Sequence, residues 1–386
     1  MSHEFPYRGL KVLDLGQGVA SPYCGMLLAL YGADVIKVEP PEGDWSRNLG
    51  SKYDQGRQTA MSLTFNRGKR SLTLDLKTKA ARAAVRTLAE QADVLIEGFR
   101  PGVAARLGLG YASLRAVNPK LIMLSISGFG QEGPYSQRPV TDTAAQAFSG
   151  FVAINRGPDR VPHRAPILTC DVSTGMYAYQ AVATALYARR DSGVGRWIDV
   201  SLMAGGAAFM GHKLAEAFLE GGSPKAANVP AGSYQTADGW IVVALVTEVQ
   251  YARWCTAMGR PDLIDDPRFR NFARRALHEA ELVAIIQSII ATDSSAAWLE
   301  RLRAADLICD RVNDFADWLD DPHVVAVGAA VSVPLPGFGV VKMPRTPGAP
   351  AASDAALAPS PYNGQHSREV LAEYGWSDDA IADLVS

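Results

Sequence analysis

The stretch ILTCDVSTGMYAYQAVATALYARR, residues 167–190, puts an acid, Asp171, at the head of a helix-forming run. A carboxylate there sits in the positive field of a helix amino end, which favours its ionised, nucleophilic form. The same acid, with Ser173 and Thr174, has an ordinary alternative as a cap for unpaired backbone N–H groups. Cys170 beside it is a second nucleophile by type, although a lone cysteine more often serves as a small core residue. Gly16-Gln17-Gly18-Val19-Ala20-Ser21 approaches the glycine fingerprint that lets backbone reach a pyrophosphate, and Glu39 ends the next strand where a ribose-binding acid belongs. That pattern makes a dinucleotide-dependent oxidoreductase the alternative of another class. Ser21 replaces the third glycine, however, and Pro22 suggests a rigid first helical turn. Arg67, Lys69, Arg70, Lys77, Arg100 and Arg106 fall around successive βα units, where converging cations would suit phosphate oxygens. A solvated surface is the commoner role of such residues. The 6 histidines, His3, His163, His212, His278, His323 and His366, are scattered, with neither a helical metal pair nor a serine nucleophile motif among them. No metal site is expected.

The elements that must position these groups follow from the hydrophobic pattern. LKVLDL is a short buried strand, the next segment a turn and helix through Met26, Leu27, Leu28 and Leu30, and DVIKVE a second strand. Apolar runs and helices alternate onward: a helix with Ala81, Val85, Leu88 and Ala89, the strand DVLIEGF, a short helix near Val103–Leu107, and the strand KLIMLSISGFG. This is an α/β pattern, an open parallel sheet with helices on both faces. The run after Asp171 is amphipathic through Met176, Tyr179, Val182, Ala183 and Leu186, and Gly193 ends it.

The texture changes at Gly221 and Gly222. GSYQTADGWIVVAL is predicted to be a hairpin turning at Asp238-Gly239, whose residues tolerate positive φ. Helices follow around 249–258, 276–291 and 296–305. Residues 225–325 therefore form a smaller central α+β domain, between a first large-domain part at 1–224 and a return at 326–386. The Pro- and Ala-rich stretch 344–364 is expected to be an extended connector, and two short helices, SREVLAEYGW and DDAIADLV, close the chain.

With 386 residues, 48% hydrophobic and 20% charged, the chain can bury proper cores. Its 38 basic and 40 acidic side chains, a formal charge of −2, offer no global field for nucleic acid. No apolar run reaches the ~18 residues of a membrane helix. The 4 cysteines lack paired spacing and read as reduced thiols, so a cytoplasmic protein without membrane or nucleic-acid partners is expected.

Taken in order, the blocks VLDLGQGVASPYCGMLLALYGADVIKVEPPEGD, FNRGKRSLTLDLKT, ADVLIEGFRPGVAARLGLGY, NPKLIMLSISGFGQEGPYSQRP, TDTAAQAFSG, DVSTGMYAYQAVATAL, GRWIDVSL, YQTADGWIVV and NGQHSREVLAEYG resemble the family III CoA-transferases across nearly the whole chain. The resemblance implies a Rossmann-like doubly wound large domain built from both chain ends, a small central domain and an interlocked homodimer. It implies an enzyme moving CoA from an acyl-CoA to a carboxylic acid, with CoA thioester as substrate and no tightly bound cofactor. Asp171 matches the family's nucleophilic aspartate, which forms an aspartyl mixed anhydride and then an aspartyl-CoA thioester. Asp142 matches a further active-site acid, with helix capping as its plainer role. CoA contacts carry over to Val19, Ala20, Leu74, Lys77, Gly98, Phe99 and Arg106, with Arg138 as an extra cation. Two features depart from formyl-CoA transferase: its assisting glutamine is matched by Val19, with Gln17 nearby, and its glycine-rich lid is reduced to Gly232 and Gly239. The 2-methylacyl-CoA racemase branch, the alternative within the family, has a histidine where Thr141 stands.

Overall fold

The computed structural model describes residues 5–156, 161–222, 228–335, 338–349 and 358–385. Alternation of side chains decides how the first strands are used. In β1 (Lys11–Asp14), Val12 points to one face and Leu13 to the other, and both are buried. A strand apolar on both faces belongs inside a parallel sheet. The chain continues through α1 (Ala20–Leu30), β2 (Asp34–Glu39), β3 (Arg70–Thr73), α2 (Lys79–Glu90), β4 (Val94–Glu97), β5 (Ile122–Ser127), α3 (Asp142–Phe148), α4 (Thr169–Ser192), β6 (Trp197–Ser201) and α5 (Leu202–Phe209).

The strands form one 6-stranded sheet in the order β3-β2-β1-β4-β5-β6, every pair parallel. Val12 pairs with Val35 of β2 and with Val94 of β4, so β1 lies where the winding reverses direction. Ligands of open α/β sheets bind beyond the carboxyl ends of the strands at that reversal. On one face Leu13, Ile36, Leu72 and Leu95 pack against Val85 and Leu88 of α2. On the other, Val12, Val35, Val94 and Ile122 pack against Leu28 of α1 and Ala178 and Val182 of α4.

Helix α4 buries Cys170, Thr174, Ala178, Val182, Ala185 and Leu186. Met176, predicted on the apolar face, is exposed instead, because the buried stripe runs through small residues that admit α1 closely. Gly193, at φ 67°, ends the helix by donating its N–H to the Arg189 carbonyl.

Compact units are Met1–Ala215 with Ala326–Ser386, and Glu216–Val325. The second unit holds an antiparallel sheet of β7 (Gly232–Gln235), β8 (Trp240–Ala244) and β9 (Ile308–Arg311), with β8 central. Its core gathers Tyr234, Trp254, Phe269, Ile286 and Trp298. The β7–β8 hairpin departs from expectation: Thr236 donates its N–H to the Gly239 carbonyl, so Ala237 and Asp238 make the turn. Neither Asp238 nor Gly239 has positive φ, and Asp238 instead accepts the Ser295 N–H.

In the returning segment, β10 (Ala330–Leu335) and β11 (Gly339–Pro344) form a hairpin that packs Val333 and Met343 against Leu63. Of the predicted connector, residues 350–357 lie outside the described residues. Its last part is anchored, not loose: the Pro361 carbonyl accepts from Arg47 and Gln58, and Asn363 bonds Thr73. Helices α6 (Ser367–Glu373) and α7 (Asp378–Val385) complete the first core through Val370, Leu371 and Ile381. Among the described residues no single helix is long and apolar enough to cross a membrane.

Candidate active site

Helix α4 begins two residues before Asp171, after Leu168, whose side chain supplies no cap. Asp171 is therefore inside the first turn, and neither it nor Ser173 or Thr174 caps the helix. The cap comes from elsewhere in the chain. Asp142 Oδ1 accepts the N–H groups of Cys170, at 2.7 Å, and Asp171, at 3.0 Å. Asp142 opens α3 without capping it, so its plainer role is also reassigned: it caps α4 across a gap of 28 residues.

Its other oxygen is held as well. Gln146, one turn further along α3 and fully buried, donates to Asp142 Oδ2 at 2.5 Å and to the Ile167 carbonyl at 2.9 Å, while its own Oε1 accepts the Ala165 N–H at 2.9 Å. One amide thus ties the second acid to the segment that leads into α4. The Asp171 carboxylate, by contrast, has no hydrogen-bond partner among the described residues. Burial, and secondarily the negative charge of Asp142, pushes its pKa up to about 7.

Asp171 and Asp142 open into a cavity of about 380 Å³ beyond the carboxyl ends of β1, β4 and β5. Val19, Ala20 and Ser21 line it from the amino end of α1, Gly98 from the end of β4, and Trp45 and Leu49 from the loop after β2. Of the residues assigned to CoA, Val19, Ala20 and Gly98 border this cavity. Phe99 lies half-buried against the α2-side core; Leu74 is fully buried there, so only its backbone can meet a ligand. Lys77, on the loop after β3, and Arg106, at the end of the short helix Val103–Arg106, are exposed, and neither is in an ion pair among the described residues. Arg138 lies over the rings of Phe129 and Tyr135, 5.5 Å from each centroid, and near Phe148.

The basic grouping is divided by the fold. Arg70 begins β3 at the amino edge of the sheet, bound to Asp34, Glu369 and Glu373. Lys69 is buried on Asp14 at 2.7 Å. Arg100 lines a separate cavity of about 510 Å³ with Glu97, Tyr111 and Trp197. Of the six, only Lys77, Arg100 and Arg106, the last at the end of a short helix, stay exposed: Arg70 begins its strand at the opposite edge, and Arg67 and Lys69 are buried.

The dinucleotide reading fails on geometry. The Gly16 N–H donates to Asp14 and the Gly18 N–H to Asp44, while the Gly16 carbonyl accepts from Lys37, itself paired with Asp44 at 2.8 Å. The amides that would cradle a pyrophosphate are spent on buried carboxylates. Gly18, at φ 81°, also lies under Trp45, whose ring stands 2.1 Å from where a Cβ would be. Glu39, the supposed ribose acid, is 1% exposed; its two oxygens accept from the Arg47 guanidinium, at 2.6 and 2.7 Å, and Oε1 also accepts from the Ser71 hydroxyl. Cys170 is no better as a nucleophile: it is buried, and burial pushes its pKa up to about 11, which keeps it a thiol.

Sequence reading missed Gln146 and Trp45. The four-residue step from Asp142 to Gln146 on one helix was a usable signal for the first. Nothing local marks Trp45, which acts across a loop.

Comparison with known proteins agrees over the length of the chain. A family model described as "CoA-transferase family III" matches residues 7–367. A "Succinyl-CoA--D-citramalate CoA-transferase" of Chloroflexus aurantiacus is 35% identical, covering 100% of this chain and 98% of its own. A "Succinate--glutarate CoA-transferase" of Agrobacterium fabrum is 34% identical, with 95% of each chain covered. The crystal structure of a CaiB/BaiF family protein from Brucella suis matches with a TM-score of 0.84 at 33% identity, covering 96% of this chain and 100% of that one.

Proposed function

We propose, from the premise that this chain belongs to CoA-transferase family III and is an acyl-CoA:carboxylate CoA-transferase, that Asp171 carries the acyl group and then CoA. An Asp171 oxygen attacks the thioester carbonyl of the donor, the C–S bond breaks, and CoA leaves as its thiolate. The product is a mixed anhydride between Asp171 and the donor acid. The thiolate then attacks the Asp171 carbonyl carbon, releasing the donor carboxylate and leaving an aspartyl-CoA thioester. An acceptor carboxylate repeats the first step on that thioester, and CoA thiolate completes the exchange on the acceptor's carbonyl, freeing Asp171. No proton or electron is gained or lost over the cycle, and no resident cofactor is needed. Covalent catalysis divides one exchange into steps of similar energy.

A single observation carries this reading: among the described residues Asp171 alone presents an unbonded carboxylate to the cavity, while both oxygens of Asp142 beside it accept hydrogen bonds. Asp142 holds the first turn of α4 and so aims Asp171. Val19, Ala20, Gly98 and Phe99 flank the pantetheine path, with Leu74 contributing backbone. Lys77 and Arg106, cations without an ionic partner among the described residues, meet the phosphates, with Arg138 as an additional contact. Racemisation needs a free acid–base pair, and Asp142 has its oxygens occupied. The reading includes an interlocked homodimer with Rossmann-like large domains; in its support, Phe218, Leu219 and Phe315 of the second compact unit are 85%, 81% and 89% exposed, apolar surface that a second copy would cover. Cytoplasmic residence belongs to the same proposal, supported by the free thiols at Cys24, Cys170, Cys255 and Cys309.

The test is chemical trapping. Hydroxylamine added during turnover should convert Asp171 to its hydroxamate, located by peptide mass spectrometry. An unmodified Asp171 under an accepted donor would sink the mechanism. A second expectation concerns pH. The nucleophile is the ionised form, so kcat/KM should fall about tenfold per unit below pH 7. Asp142→Asn removes the second cause of the raised pKa, and its acid limb should move to lower pH while the maximal rate drops. A role for Asp142 in folding alone would leave the limb where it was.

A further inference from the structure

The cavity at Asp171 has an uneven lining. Its charged members are Asp142 and Asp171, both acids, and among the described residues no lysine, arginine or histidine borders it. The remaining wall is uncharged: apolar Val19, Trp45, Leu49, Met61, Val140 and Leu202, with the neutral polar side chains of Gln17, Ser21, Ser127, Thr141 and Thr143 among them. Nearby cations are committed: Lys37 to Asp44, Lys69 to Asp14 and Arg47 to Glu39, all buried beneath the Gly16–Gly18 turn or beside it.

Resting on the covalent reading above, we infer that this enzyme exchanges CoA between monocarboxylic acids with uncharged, apolar tails. Charge through the cycle is the reason. The reacting carboxylate of an acceptor arrives while Asp171 is a neutral thioester, and it loses its own charge on acylation. The cavity therefore needs no cation for the reacting end. A second carboxylate, as in a succinyl or glutaryl group, stays anionic in every step. It would find no cation in the wall to pair with it, and Asp142 would repel it throughout, joined by Asp171 whenever that acid is unacylated. An alkyl or aryl tail meets the same walls favourably.

The experiment pairs each acyl-CoA with its own isotopically labelled free acid and follows label entering the thioester, so that no second substrate need be known. Butyryl-, hexanoyl- and phenylacetyl-CoA are compared with succinyl- and glutaryl-CoA on the full-length protein, with hydroxylamine trapping in parallel. At least one monocarboxylic pair should exceed both dicarboxylic pairs in kcat/KM by on the order of 100-fold. Succinyl or glutaryl exchange that equals or exceeds the others, with Asp171 trapped, overturns this inference and leaves the covalent reading standing. Absence of trapped Asp171 with all five donors overturns both. Two variants give an independent reading: Leu49→Arg and Met61→Lys place a cation at the wall, and each should raise the succinyl-to-butyryl ratio about tenfold or more. A ratio that moves in neither variant overturns the inference.

Discussion

Asp171→Asn should abolish CoA exchange, by on the order of 10⁴-fold or more, and should make the protein more stable at pH 8 than its parent. The first effect follows from the chemistry: an amide oxygen cannot form the anhydride, and the neighbouring Cys170 and Asp142 are respectively protonated and hydrogen-bonded. The second follows from the sign of the pKa shift. Burial, then Asp142, raises the folded-state value from 3.8 to about 7, so folding disfavours the ionised form. Below pH 4 the group is protonated whether folded or not, and it costs nothing. Between pH 4 and 7 the unfolded chain releases the proton first, and stability falls as pH rises. Above pH 7 the full penalty is present, roughly 2–4 kcal/mol at about 1.4 kcal/mol per unit, allowing for partial solvent contact. The variant escapes that penalty. Denaturant titrations of parent and variant should diverge at pH 8 and converge near pH 4; equal stability at both would mean the carboxylate is solvated. A loss of activity joined to a gain in stability is the signature of a functional group held in an unfavourable place.

Arg47→Met should have the largest effect on stability. Arg47 is 5% exposed and binds both oxygens of Glu39, with further bonds to Gln58 and the Pro361 carbonyl. Burial alone would raise the Glu39 pKa, but the Arg47 hydrogen bonds and the charges of Lys37 and Arg47 outweigh it and hold the value at about 2. Removing the guanidinium strands a buried carboxylate, at a cost of about 3–5 kcal/mol. The pH dependence again has a definite sign. A depressed carboxylate contributes stability above pH 4.5 that is lost as pH falls towards 2, about 3 kcal/mol in the parent. In Arg47→Met that acid sensitivity should shrink, because Glu39 can take up its proton early. Adding Glu39→Gln to Arg47→Met should recover much of the loss, since no unpaired charge remains. A single variant as stable as the parent would show that water already reaches Glu39. The same loop carries Trp45 and Leu49, so its loosening should also raise KM for acyl-CoA.

These two residues show how differently function and scaffold are written in the chain. Asp171 stands in a run whose local chemistry is readable: an acid, short polar residues, small apolar residues at helical spacing, and a terminal glycine. Strand alternation at Val12 and Leu13 likewise implied a sheet covered on both faces, because side-chain direction along a strand follows from neighbouring residues alone. The ordered blocks around them carried the family and its reaction. Partnerships across the fold had no such record. Asp142 looked like a cap for its own helix, yet it caps α4. Glu39 looked like a ribose ligand, yet Arg47 claims it, and Arg70 looked like a phosphate contact although it sits at the opposite edge of the sheet. Each of these depended on which distant group came within about 3 Å. Periodicity states which face of an element is buried; it does not state what that face meets. The unbonded state of Asp171, its raised pKa and the cation-poor wall around it are therefore properties of the packed sheet and its loops, created when burial removed water and left the neighbours to decide each charge.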